Sequence, residues 1–252
     1  MFDRRLPTLV TLLLTALVGL AAPPVAPARA ARADAPPDPR SPELQAGERL
    51  EALLANCRLQ QAALETLEAS FVQRKESVML LEPSEARGVF SYAAPDRVRW
   101  EYQAPDPISL LIADDEMTTW YRDLEKAERA FIGKQSQKVL EYLGAGNSLD
   151  DLIKYFDVAL AMPGDRAEPY RLEMTPRYAR IAKRVTSMKI WIDPEVYLPI
   201  GLSYTEPDGD VTDYRFSDLR INGDLPAGRF ELELPRGIEV SVIELEGRPS
   251  VR

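Results

Sequence analysis

The sequence predicts a mainly β fold with a few helices, an α+β chain built as one large curved antiparallel sheet with helices packed on one face. Two patterns predict the sheet. Apolar and polar residues alternate in short runs, as where Val98, Trp100 and Tyr102 interleave with Arg97, Arg99 and Glu101. Turn residues punctuate these runs at the spacing of an antiparallel meander. The helices follow from the few stretches where apolar residues recur at helical intervals instead.

The first such stretch is a helix expected over about 44 to 65, because Leu50, Leu53, Leu54 and Cys57 fall on one stripe. It is expected to bend near Asn56-Cys57-Arg58. Cys57 on that stripe reads as a small buried core residue rather than a reactive thiol.

The period then changes to two. Alternating runs at 67–71, 89–92, 98–102, 108–112, 118–121 and 127–132 read as strands. Glu82-Pro83-Ser84, Ala94-Pro95-Asp96, Ala104-Pro105-Asp106-Pro107 and Asp114-Asp115-Glu116 are the turns between them. Short helices follow at 137–143 and 149–155, separated by Gly144-Ala145-Gly146-Asn147. Strands resume at 156–162, 170–174, 187–192, 198–205, 211–218 and 230–234, with Pro207-Asp208-Gly209-Asp210 as a hairpin turn. The expected total is about eleven strands in one domain. A sheet this wide with so few helices must close into a barrel or leave an apolar groove, and such grooves mark ligand or partner sites.

The ends read differently. Met1 to Arg5 is basic, 6–22 is nearly free of charge, and Ala28-Arg29-Ala30 offers a cleavage site, so 1–30 is expected to be a secretory signal peptide. Residues 31–46, rich in Ala, Asp, Arg and Pro, are expected to be a disordered linker. The domain is expected over 47–241, with a tail at 242–252.

Composition narrows the chemistry. The chain has 252 residues and a formal net charge of −9, against the basic footprint that nucleic-acid binding requires. It contains no histidine and one cysteine, which excludes His-based catalysis and an intrachain disulfide. Asp114-Asp115-Glu116 reads as a solvated turn rather than an acid–base site. Asp208, Asp210 and Asp213 lack the spacing and closing Glu of a calcium loop. No phosphate-binding loop or nucleophile elbow is present, so no enzymatic activity, cofactor or metal is expected.

Three blocks carry a resemblance. Gly88-Val89-Phe90-Ser91-Tyr92-Ala93-Ala94-Pro95-Asp96-Arg97-Val98-Arg99-Trp100-Glu101-Tyr102, the hairpin from Pro105 to Leu124, and Phe230-Glu231-Leu232-Glu233-Leu234-Pro235-Arg236-Gly237-Ile238 stand in this order. Together they resemble the periplasmic outer-membrane lipoprotein carrier family, LolA. The resemblance implies an incomplete antiparallel β-barrel with a helical lid on its concave apolar face. It also implies a periplasmic carrier of acylated lipoproteins or related lipid, loaded by an inner-membrane ABC transporter and unloaded to an outer-membrane receptor.

The groove is then expected to be lined by Phe90, Tyr92, Val98, Trp100, Tyr102, Leu110, Ile112, Trp120, Met188 and Ile190. Alternation independently sets Val98, Trp100 and Tyr102 on one face. It does not say whether the aromatic positions are groove or plain core. The lid is expected to present Leu140, Leu143, Leu149 and Ile153. The family's lid-bonding arginine is replaced by Ala94, leaving Arg97 and Arg99 as nearby substitutes. The chain is expected to act as a monomer without nucleic acid. The competing readings are a lipid- or partner-sensing module of the same fold and a carboxylate hydrolase.

Overall fold

The computed structural model describes residues 35–79, 82–132 and 148–243. The expected signal peptide, the helix at 137–143 and most of the C-terminal tail lie outside these residues.

Twelve strands form one sheet. The strands are β1 (Thr66–Glu76), β2 (Ser84–Ala93), β3 (Arg97–Ala104), β4 (Ile108–Ala113), β5 (Glu116–Tyr121), β6 (Lys126–Phe131), β7 (Phe156–Ala161), β8 (Tyr170–Pro176), β9 (Ser187–Ile192), β10 (Pro199–Thr205), β11 (Val211–Ile221) and β12 (Glu239–Ile243). Their order across the sheet is β12-β6-β5-β4-β3-β2-β1-β11-β10-β9-β8-β7. The sheet is open: β12 and β7 end it and do not pair with each other. All pairings are antiparallel except that of β12 with β6, which is parallel. Helix α1 spans Ala46–Ala62, α2 Ser148–Tyr155 and α3 Ala179–Ala182.

Alternation gives the sheet two chemically distinct faces. Phe71, Phe90, Trp100 and Leu110 stand in neighbouring strands on the inner face, where Phe90 pairs with Trp100 and Trp100 with Leu110. Ser91, Arg99, Glu101 and Ser109 stand on the outer face, linked by the pairs Ser91–Arg99 and Glu101–Ser109.

The inner face carries two apolar clusters. One is built on Phe71, Phe90, Val98, Trp100, Ile112 and Tyr214. The other joins Leu53, Leu54 and Cys57 of α1 and Leu149 of α2 to Tyr170, Leu172, Ile190 and Ile192. Half-buried Met188 and Leu202 touch both, so the apolar surface is continuous. Helix α1 is a single 17-residue helix through Asn56-Cys57-Arg58, opened by a capping box between Gln45 and Glu48. Among the described residues, no helix is long and apolar enough to cross a membrane.

Two expectations are corrected. Residues 230–234 are not a strand. Phe230, Leu232 and Leu234 are half-buried and Glu231 and Glu233 exposed, so the alternation is real. Its cause is an extended segment lying on the outer face, where Arg99 Nη1 donates to the carbonyls of Arg229 and Glu231 at 3.1 and 3.0 Å. The final strand is β12, further along. Residues 35–45 are likewise not a free linker. Asn56 Nδ2 donates to the Pro37 carbonyl at 3.0 Å, and Arg40 Nη2 donates to the carbonyls of Arg166 and Glu168 while its guanidinium lies 4.5 Å from the centre of the Tyr170 ring. Hydrogen bonds and one cation–π contact hold this polar, Pro-rich segment in place of apolar burial.

Candidate functional site

The inner face brings together most of the expected lining. Phe90, Tyr92, Val98, Trp100, Leu110 and Ile112 belong to the first cluster, with half-buried Tyr102 packed against it. Met188 bridges the clusters and Ile190 belongs to the second. Buried Leu149 and half-buried Ile153 lie in the second cluster through α2, while Leu140 and Leu143 lie outside the described residues.

Trp120 is the exception. It pairs with Ser109 and Ala127, which sets it on the outer face, and the Arg122 guanidinium lies 4.8 Å from its ring centre. Its neighbours Thr119 and Tyr121 take the inward positions, opposite Leu110 and Ile108. Thr118-Thr119-Trp120-Tyr121 contains no clean alternation, so composition favoured the wrong residue.

Several inner-face residues were missed. Tyr214 and Phe216 of β11 join Phe71, Phe90, Trp100 and Tyr102 in one aromatic cluster, with Phe71–Trp100 and Phe90–Trp100 ring centres 4.8 and 4.9 Å apart. Such contacts add to burial when rings meet at an angle. Their strands alternate visibly, but nothing local says that β11 lies beside β1. Burial raises the phenols of Tyr102, Tyr204 and Tyr214 above their ordinary value. Tyr102 and Tyr214 share a hydrogen bond at 3.4 Å.

In this conformation the aromatic region is closed: Val98 is 0% and Trp100 5% exposed. An open cleft of about 550 Å³ lies instead where α1, α2 and β7 meet. Leu50, Leu54, Ile153 and Val158 give it apolar lining, joined by Glu51, Lys154 and Arg177. That volume falls within the range of small-molecule sites.

The outer face is polar and internally paired. Glu101 receives hydrogen bonds from Arg122, from Arg99 Nε at 2.8 Å and from Ser109 Oγ at 3.0 Å. Burial works to raise this carboxyl, but the donors outweigh it and hold it below its ordinary range. Arg99 also braces the C-terminal segment from the outer face.

Two further acidic groups of the sequence fall in turns. Asp114 and Asp115 have φ of 52° and 63° and form the β4–β5 turn. The carboxylates of Glu206, Asp208 and Asp210 lie within 4.8 Å of one another, and Lys75 stands 3.3 Å from Asp210. Asp213 is apart from them, paired across strands with Arg74 and Ser203.

The chain is thus an open sheet with one polar face and one continuous apolar face, the latter covered by helices and loops. The family described as Outer membrane lipoprotein carrier protein LolA matches residues 62–233, and the chain belongs to that family. An outer-membrane lipoprotein carrier protein of Alkalilimnicola ehrlichii is 26% identical over 178 residues, covering 69% of this chain and 77% of the relative. One from Legionella pneumophila strain Corby is 26% identical over 180 residues, covering 71% of this chain and 84% of the relative. In fold, the chain is similar to an uncharacterized conserved protein of Thermus thermophilus, with a TM-score of 0.50 at 11% identity, over 77% of this chain and 99% of that one.

Proposed function

We propose that this protein is a non-catalytic, monomeric periplasmic carrier that holds the acyl chains of lipoproteins, or of a related lipid, against the inner face of its sheet. It takes cargo from an inner-membrane ABC transporter and delivers it to an outer-membrane receptor.

One observation carries the reading. The inner face is predominantly apolar from β7 to β4, yet β7 and β12 are not hydrogen-bonded to each other. Helices α1 and α2 and the Leu64, Val185 and Leu198 side chains pack over it, and neither helix pairs with a strand edge. Lifting a helix exposes the face without breaking a strand pair. Each acyl CH₂ taken from water contributes about 0.8 kcal/mol, so a chain of ~16 carbons gains on the order of 10 kcal/mol before costs. The protein's own helices compete for that surface, which keeps release feasible.

The test is uptake of a fluorescent fatty-acyl probe by the folded protein. The reading expects saturable binding that a synthetic acylated peptide displaces and an unacylated peptide does not. No uptake at any probe concentration overturns it.

A further inference from the structure

The inner face changes character at one end. From β7 to β4 its inward positions are predominantly apolar, with Gln73, Lys75 and Thr212 together where β1 meets β11, whereas on β5 they include Thr119 and Tyr121, and on β6 Lys126 and Glu128. Thr119 pairs with Leu110 on one side and with Glu128 on the other, and Tyr121 pairs with Ile108 and Lys126. Tyr121 is buried, and its hydroxyl donates to Glu128 Oε2 at 3.2 Å. Glu128 is half-buried, and Ser241 of β12 stands opposite it.

Two cations of β6 stand near Glu128. Lys126, two residues back on the same face, is engaged by Glu239 at 3.6 Å. Arg129 points to the other face and pairs with Glu116 at 3.6 Å. Among the described residues no cation pairs with Glu128. Tyr121 holds one carboxylate oxygen by a neutral hydrogen bond and leaves the other available, because a carboxylate accepts several donors. Burial and the neighbouring Glu128 raise the Tyr121 phenol well above its ordinary value, so it stays a donor.

Resting on the carrier reading above, we propose that Glu128, oriented by Tyr121 and beside Thr119, is the headgroup subsite of the inner face and selects amphiphiles whose headgroup carries a primary ammonium. Two strand spacings, about 10 Å, separate β4 from β6. A chain lying along Trp100 and Leu110 thus ends beside Glu128. An ammonium there gains a charge-assisted hydrogen bond, and a carboxylate headgroup meets a like charge.

The experiment displaces the bound fluorescent acyl probe with amphiphiles of one chain length and three headgroups: alkylammonium, alkyl alcohol and alkyl carboxylate. The expected result is that the ammonium competes at about ten-fold lower concentration than the alcohol, the ratio of one charge-assisted hydrogen bond net of water, and the carboxylate competes worst. Glu128→Gln brings the three together, and Tyr121→Phe narrows the ratio without abolishing it. Equal competition by all three headgroups in the unmodified protein, or a ratio that survives Glu128→Gln, overturns the subsite while leaving the carrier reading intact. Failure of the probe itself to bind overturns both.

Discussion

The ring of Phe71 lies directly over Gly88, its cross-strand partner on the inner face. A Cβ on Gly88 would stand 2.7 Å from Phe71 Cζ and 2.0 Å from the Glu101 carbonyl oxygen. The missing side chain therefore makes room for the central ring of the aromatic cluster and for close approach of β2 and β3. Gly88→Ala should destabilise the fold by about 1–3 kcal/mol, the usual cost of overpacking, read from the urea midpoint at unchanged slope. Gly47→Ala, in helix α1 with open space around it, should stabilise slightly. Equal midpoints for the Gly88 variant and the parent would contradict this account of the cluster.

Val98 and Trp100 are too deeply buried to serve as surface contacts in the closed conformation. Trp100→Ala should cost about 3–5 kcal/mol, as loss of a large buried aromatic does. Calorimetry of the apo protein checks this, and a loss below 1 kcal/mol would mean that the inner face is open in solution.

Acid stability should report Glu101. Its folded-state carboxyl is held below the ordinary value, so its contribution is present above the unfolded value and lost as pH falls through the folded one. Below about pH 4 the parent should lose stability more steeply than Glu101→Gln, which has no such carboxyl to protonate. Parallel profiles would mean that the Arg99–Glu101–Arg122 network contributes nothing through charge.

Alkaline stability should report the tyrosines. Burial raises the folded-state phenols of Tyr102, Tyr204 and Tyr214, and lifts Tyr170 to about 12. Groups raised in this way contribute fully below the unfolded value and lose that contribution as pH climbs toward the folded one. Phenolate absorbance should therefore lag behind that of the urea-unfolded chain above about pH 10 and rise together with unfolding. Superimposable titrations would contradict burial of these rings.

Most of the sheet was legible because a half-buried strand must alternate, and most of the first eleven strands do. The lining residues on β2 to β4 followed from the same rule. What alternation cannot say is which partner causes it. Phe230, Leu232 and Leu234 alternate because they lie on the outer face of the sheet, yet only β12, with the weaker pattern, pairs with β6. The position of Trp120 needed the register of β5 against β4, which four bulky or β-branched residues in a row do not reveal. The β1–β11 pairing that completes the aromatic cluster joins residues far apart in sequence, such as Phe71 and Phe216. The anchoring of residues 35–45 rests on single polar contacts, which composition does not reveal.

The central claim is that the inner face holds an acyl chain. Native mass spectrometry of the protein isolated from its own compartment, followed by denaturation and identification of what is released, tests it most directly. The account predicts a bound mass that resolves into an acylated peptide or lipid. A clean apo mass, together with no uptake of added acyl probe, would contradict it and make the apolar face ordinary core.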